Sequence, residues 1–125
     1  MRILRSVRHK ACADGSYMKE FLLDTPLSAR FLEFLAGFGT VKMLPALGEG
    51  FYTFEKPDCF SIKGFLNDTS IEVRFRKEVM DLTNDFLYAL LFYYHDGAPD
   101  LAMLNRLDVA LTEKVAKRLY GTRGT

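Results

Sequence analysis

Between Thr40 and Lys77 the chain is cut at short intervals by three turn signals: Gly48-Glu49-Gly50, Lys56-Pro57-Asp58 and Asn67-Asp68-Thr69. Gly, Asn and Asp tolerate the positive φ angles of tight turns, and Pro fixes the φ that opens one. The intervening pieces, Val41 to Leu47, Phe51 to Glu55, Cys59 to Leu66 and Ser70 to Arg76, each have ordinary strand length. The loops are too short for a parallel crossover, so the spacing predicts an antiparallel meander of four strands. Pro45 cannot donate a ladder hydrogen bond, which places its strand at an edge or on a bulge.

Alternation assigns the faces. In the last strand Ile71, Val73 and Phe75 share one side and Glu72, Arg74 and Arg76 the other. In the strand before it, Phe60, Ile62 and Leu66 are assigned to the core and Ser61, Lys63 and Phe65 to the outside. The outward set then joins Lys63, Phe65, Arg74 and Arg76 with Tyr52 and Phe54, or with Phe51 and Thr53 if that strand has the other parity.

Ahead of the meander, Ala13-Asp14-Gly15-Ser16 predicts a hairpin joining Ile3 to Cys12, a basic strand or short helix, with the apolar strand Tyr17 to Leu23. Thr25-Pro26 reads as an N-cap followed by proline at the first helical position. Leu27, Phe31, Phe34, Leu35 and Phe38 then form one helical face, closed at Gly37.

After the meander, Glu78 to Tyr94 predicts a second helix, with Asp81 or Thr83 as its cap. Its nine consecutive apolar or aromatic residues from Phe86 leave no solvent face, so Leu87, Tyr88, Leu91, Phe92 and Tyr94 are read as core or as a dimer surface. The turn His95 to Asp100 leads into a third helix lined by Leu101, Leu104, Leu107, Leu111, Val115 and Leu119. The whole is one α+β domain over residues 1–120, with a flexible tail at 121–125. Its antiparallel sheet, of order β-β-α-β-β-β-β-α-α, carries the helices on one face.

Composition narrows the function classes. The 125 residues are 49% apolar and 26% charged with a formal charge of +1, which fits a soluble globular domain and supplies no global field for nucleic acid or an anionic membrane. The longest apolar run is about half of what a bilayer-spanning helix needs. Met1 to Leu4 is too short for the apolar centre of a signal peptide, and two cysteines, Cys12 and Cys59, fit reduced thiols. A cytoplasmic location with no membrane contact is the expectation.

The chemistry-bearing residues assemble no recognisable site. His9, Cys12, Cys59 and His95 suit tetrahedral zinc by type, but they lack the close ligand pairs of structural zinc sites, so no metal is assigned. His95-Asp96 falls at a helix end, and Asp81 and Asp85 at a helix start, where the dipole alone favours each charge. No catalytic residue is assigned. Gly37-Phe38-Gly39 and Gly48-Glu49-Gly50 lack the strand-loop-helix setting and the trailing Lys-Ser/Thr of a phosphate loop, so no cofactor is implied.

In element order the chain is similar to the β-α-β4-α repeat of TATA-binding-protein-like folds, and less closely to helix-grip folds that hold lipids. The likeness implies an open-faced sandwich, and no motif residue carries a site across. The expectation is a non-enzymatic interaction module that contacts a second copy of itself or another protein. The alternatives are single-stranded nucleic-acid binding by the basic and aromatic sheet face, with Arg2, Arg5, Arg8 and Lys10 adding to it, and a small-molecule pocket between sheet and helices.

Overall fold

The computed structural model describes residues 1–94 and 99–121, in which six strands form a single antiparallel sheet and three α-helices lie on one side of it. The strands are β1 (Ile3–Ala11), β2 (Ser16–Leu23), β3 (Thr40–Met43), β4 (Phe51–Lys56), β5 (Phe60–Phe65) and β6 (Ser70–Arg76). Their spatial order is β1-β2-β6-β5-β4-β3, so the meander β3 to β6 returns its last strand beside the N-terminal hairpin. The helices are α1 (Ala29–Leu35), α2 (Met80–Phe92) and α3 (Leu101–Tyr120).

Local chemistry explains the turns. The Asp14 carboxylate accepts from both the N–H and the hydroxyl of Ser16, holding the first hairpin closed with Gly15 at φ +90°. Asp58 and Asn67 both take left-handed backbone, as turn residues with short polar side chains do. Pro45 ends its strand: β3 stops at Met43 and Pro45–Leu47 forms a 3-10 turn, so the strand is shorter than Val41 to Leu47.

The helix boundaries also shift. Ser28, and not Thr25, caps α1 by accepting the N–H of Phe31 at 3.2 Å, and the helix closes at Ala36, one residue before Gly37. A 3-10 turn at Lys77–Val79 leads into α2, and neither Asp81 nor Thr83 caps it. The buried Thr83 hydroxyl donates to the Val79 carbonyl instead. Asp100 caps α3 through the N–H of Met103. The turn at 95–98 and the tail at 122–125 lie outside the described residues.

One face of the sheet is core. Phe21, Leu23, Tyr52, Phe54, Phe60, Ile62, Ile71, Val73 and Phe75 are all buried there against Phe31, Leu35, Phe86, Leu87, Leu90 and Leu104. Each such side chain contributes about 1.5–3 kcal/mol. Gly39 and Gly64 make room for the larger rings. A Cβ on Gly39 would meet the Phe54 ring at 2.7 Å, and one on Gly64 would meet the Tyr52 hydroxyl at 3.0 Å.

The third helix is held by a narrow stripe. Leu104, Leu111 and Val115 are buried and Leu119 partly so, whereas Leu101 and Leu107, expected on the same face, are exposed. Polar clasps complete its attachment. Buried Lys56 pairs with Asp108 and donates to the Phe38 carbonyl, Arg118 reaches the Asp81 carboxylate and the Glu78 carbonyl, and the Tyr120 hydroxyl donates to Asp58.

Candidate functional site

The register orders the outer face, the side away from the helices, into rows. One row runs Arg8, Glu20, Glu72, Lys63, Thr53, Lys42 across all six strands. The next runs Lys10, Met18, Arg74, Ser61, Glu55, Thr40. On the other side Arg5, Leu22 and Ser70 stand in line on β1, β2 and β6, and Phe65 pairs with Phe51 on β5 and β4.

Of the residues expected on this face, Lys63, Phe65, Arg74 and Arg76 are there. Tyr52 and Phe54 are not: both are fully buried in the core, and Phe51 and Thr53 take the outward positions. Both parities of β4 carry aromatic residues, so alternation alone cannot decide. The room left by Gly39 and Gly64 favours the larger Tyr52 and Phe54 rings inside. Phe51 and Phe65 meet edge to face, with ring centroids 5.2 Å apart.

A feature missing from the sequence reading is the irregularity of β1. Residues three apart on a regular strand face opposite ways, which would separate Arg5 from Arg8. Register shifts after Ile3 and after Ser6 each leave one residue unpaired, Leu4 and Val7, both exposed. The second shift, at Val7, brings Arg5 to the same outer face as Arg8 and Lys10.

The centre of the face is compensated. Glu20 accepts from the Ser70 hydroxyl at 2.8 Å and pairs with Arg8 at 3.4 Å. Glu72 lies between Lys63 at 3.3 Å and Arg74 at 3.6 Å. Arg5, Lys10 and Lys42 have no ion pair among the described residues. A recess of about 220 Å³ on this face is lined by Arg8, Glu20, Lys63, Asp68 and Glu72 together with the Phe51 and Phe65 rings, and Arg5, Lys10 and Lys42 lie outside it. A second cleft, about 440 Å³, lies at the sheet end between Ser16, Asp58, Cys59, Ser61, Arg74 and Arg76. Its Arg76 is already engaged by Asp58 at 2.9 Å and Glu78 at 3.7 Å.

The helix side carries the other candidate surface. Leu87, Leu91 and Tyr94 are buried, but Tyr88 is 43% and Phe92 58% exposed. The expectation that α2 lacks a solvent face is therefore corrected: Asp81, Asp85, Tyr88 and Phe92 form one, because hydrophobic neighbours cover only the stripe through Phe86, Leu87, Leu90 and Leu91. Beside that stripe an apolar groove of about 230 Å³ opens between α2 and α3, with Leu82, Phe86, Ala89, Leu107, Ala110 and Leu111 in its walls. Asp85 stands on its α2 wall and Lys114 on its α3 wall.

The residues weighed for zinc go to separate tasks. His9 Nδ1 is 2.8 Å from the Tyr17 hydroxyl, Cys12 is half-buried beside the first hairpin turn, and Cys59 is buried in the β4–β5 turn. His95 lies outside the described residues. Among the described residues no three His, Cys, Asp or Glu side chains are grouped to hold a metal ion. Burial raises the pKa of the Cys59 thiol and that of the Tyr52 hydroxyl. Hydrogen bonds lower those of Asp14, Asp24 and Asp81, from Ser16, the Arg2 N–H and Arg118 respectively.

Comparison with protein-family models, with curated proteins and with solved structures finds no match to this chain. The likeness in element order to TATA-binding-protein-like folds thus has no structural neighbour behind it. No helix among the described residues is long and apolar enough to cross a membrane.

Proposed function

We propose that this chain is a non-enzymatic interaction module that pairs with a second copy of itself through the α2–α3 surface. The observation that carries this reading is the open apolar groove between the two helices, walled by Leu82, Phe86 and Ala89 on α2 and by Leu107, Ala110 and Leu111 on α3. An exposed apolar groove flanked by opposite charges is a feature of self-association surfaces, and the exposed Tyr88 and Phe92 add apolar area elsewhere on α2. A two-fold interface must be complementary to itself, and the groove has one acidic and one basic wall. A second copy packed antiparallel sets Asp85 of each chain against Lys114 of the other. Free Cys12 and Cys59 fit a reducing compartment such as the cytoplasm.

Sedimentation equilibrium of the purified protein tests the reading. The expected result is a dimer that Leu107→Asp converts to a monomer with an unchanged circular dichroism spectrum, since Leu107 is exposed and outside the buried core. A wild-type protein that stays monomeric at millimolar concentration overturns the proposal. So does a dimer indifferent to both Leu107→Asp and Ala110→Asp.

A further inference from the structure

We infer that the outer face of the sheet binds single-stranded nucleic acid, its phosphates along the cation row of β1 and its bases against the Phe51 and Phe65 rings. The site is separate from the α2–α3 surface, since it lies on the opposite side of the sheet.

Three independent features converge on this face. The register shift at Val7 sets Arg5 on the same side as Arg8 and Lys10, where a regular strand would split them. Bulges are over-represented at sheet edges and next to active sites, where they re-aim side chains. Lys10 is aligned across β2 with Arg74, so the cations continue onto the centre of the sheet. Phe65 remains 42% exposed beside Phe51, in a recess that Arg8 and Lys63 also line. An aromatic platform next to a basic track is how sequence-tolerant single-strand binding works, because every base has a face to stack.

The carboxylates decide the path of the strand. Glu20 and Glu72 repel phosphate from the middle of the recess, which leaves the β1 edge and Arg74 as the backbone track. Within the recess they can accept from the exocyclic amino group of a base, as Glu does from cytosine N4. An acidic peptide would use the same cations, but its carboxylate side chains cannot stack on the rings and would add like charge beside Glu20, Glu72 and Asp68.

Fluorescence anisotropy of a labelled oligo(dC) of about twelve nucleotides, a length within single-strand binding-site sizes, tests the inference. Four phosphate contacts on a single strand imply about a 50-fold weakening between roughly 50 and 200 mM salt. Arg5→Ser is expected to lower the salt slope by about 0.7. Phe65→Ala is expected to weaken binding roughly tenfold with little change in slope. The deciding variant combines Arg5→Ser with Ser6→Arg, which keeps the net charge but moves the cation to the other face of β1, at a site that is exposed in any case. It should bind as weakly as Arg5→Ser alone. Retention of wild-type affinity by this swap, no binding at about 50 mM salt, or displacement of the oligonucleotide by poly-glutamate at equal charge concentration would each overturn the proposal. Thermal melts show that every variant compared is folded.

Discussion

Glu20 and Glu72 stand directly opposite one another on the neighbouring strands β2 and β6, two carboxylates in register on the outer face. Like charges so placed destabilise a sheet unless each has its own partner. Here Arg8 and Ser70 serve Glu20, and Lys63 and Arg74 serve Glu72. Arg8→Ala should therefore cost about 0.5–1 kcal/mol in urea denaturation at low salt. The loss should shrink in about 1 M salt, where the Debye length is about 3 Å, and Glu72→Gln should recover part of it. An Arg8→Ala effect that is independent of salt would show that the two carboxylates do not interact.

Lys56 and Asp108 form the one clasp of α3 that reaches into the core, with the Lys56 ammonium also 5.2 Å above the Phe86 ring. Asp108→Ala leaves a buried charge without its partner, which costs about 3–5 kcal/mol where both groups are wholly buried. Asp108 keeps a quarter of its side chain in water, so about 2–3 kcal/mol is expected. Lys56→Met should cost less, because it removes the charge and keeps the volume. Paired denaturation curves give the order of the two variants.

Gly39 is required by a close approach. A Cβ there would lie 2.5 Å from the Glu55 carbonyl oxygen and 2.7 Å from the Phe54 ring, and backbone cannot yield as a surface side chain does. Gly39→Ala should destabilise by about 2 kcal/mol or more. Gly37→Ala, whose Cβ meets only a carbonyl at 3.4 Å, should change stability by less than about 1 kcal/mol. Thermal melts of the two variants make the comparison.

The two thiols should differ in reactivity. Cys59 is buried with its pKa raised by desolvation, and the thiolate is the reacting form, while Cys12 is half-buried beside an exposed turn. Titration of the native protein with an aromatic disulfide reagent at neutral pH should show one fast thiol, with the second released only by denaturant. Cys12→Ser should abolish the fast phase.

Acid should destabilise the fold from a known direction. Asp14, Asp24 and Asp81 have folded-state pKa values below the ordinary 3.8, so the stability they add is complete above that pH. It is lost as pH falls through the folded values. Melting temperature should therefore begin to drop below about pH 4. The drop should be shallower in Asp81→Asn, whose starting stability lacks the Arg118 contact.

The division between strands and turns from Phe51 to Arg76 was legible because turn residues act locally: Gly, Asn, Asp and Pro restrict their own backbone wherever they stand, whereas Pro45–Leu47, read as strand, forms a 3-10 turn. The same holds for the core face of β6, where one parity is wholly apolar and the other wholly polar or charged beyond Ser70. The element order and the one-sided placement of helices follow from those local signals and from the amphipathic stripes of α1 and α3. What required the tertiary structure was every choice in which two local options were nearly equal. Tyr52 and Phe54 face inward because Gly39 and Gly64 leave space there, a fact about other segments of the chain. Lys56 is buried because Asp108, 52 residues away, receives its charge. Arg5 and Arg8 share a face only because Val7 drops out of register with β2. Tyr88 and Phe92 are exposed because the sheet and α3 together cover less of α2 than its composition allows. Backbone preference belongs to a residue and its neighbours, whereas space, charge compensation and register are properties of segments that meet only in the folded chain.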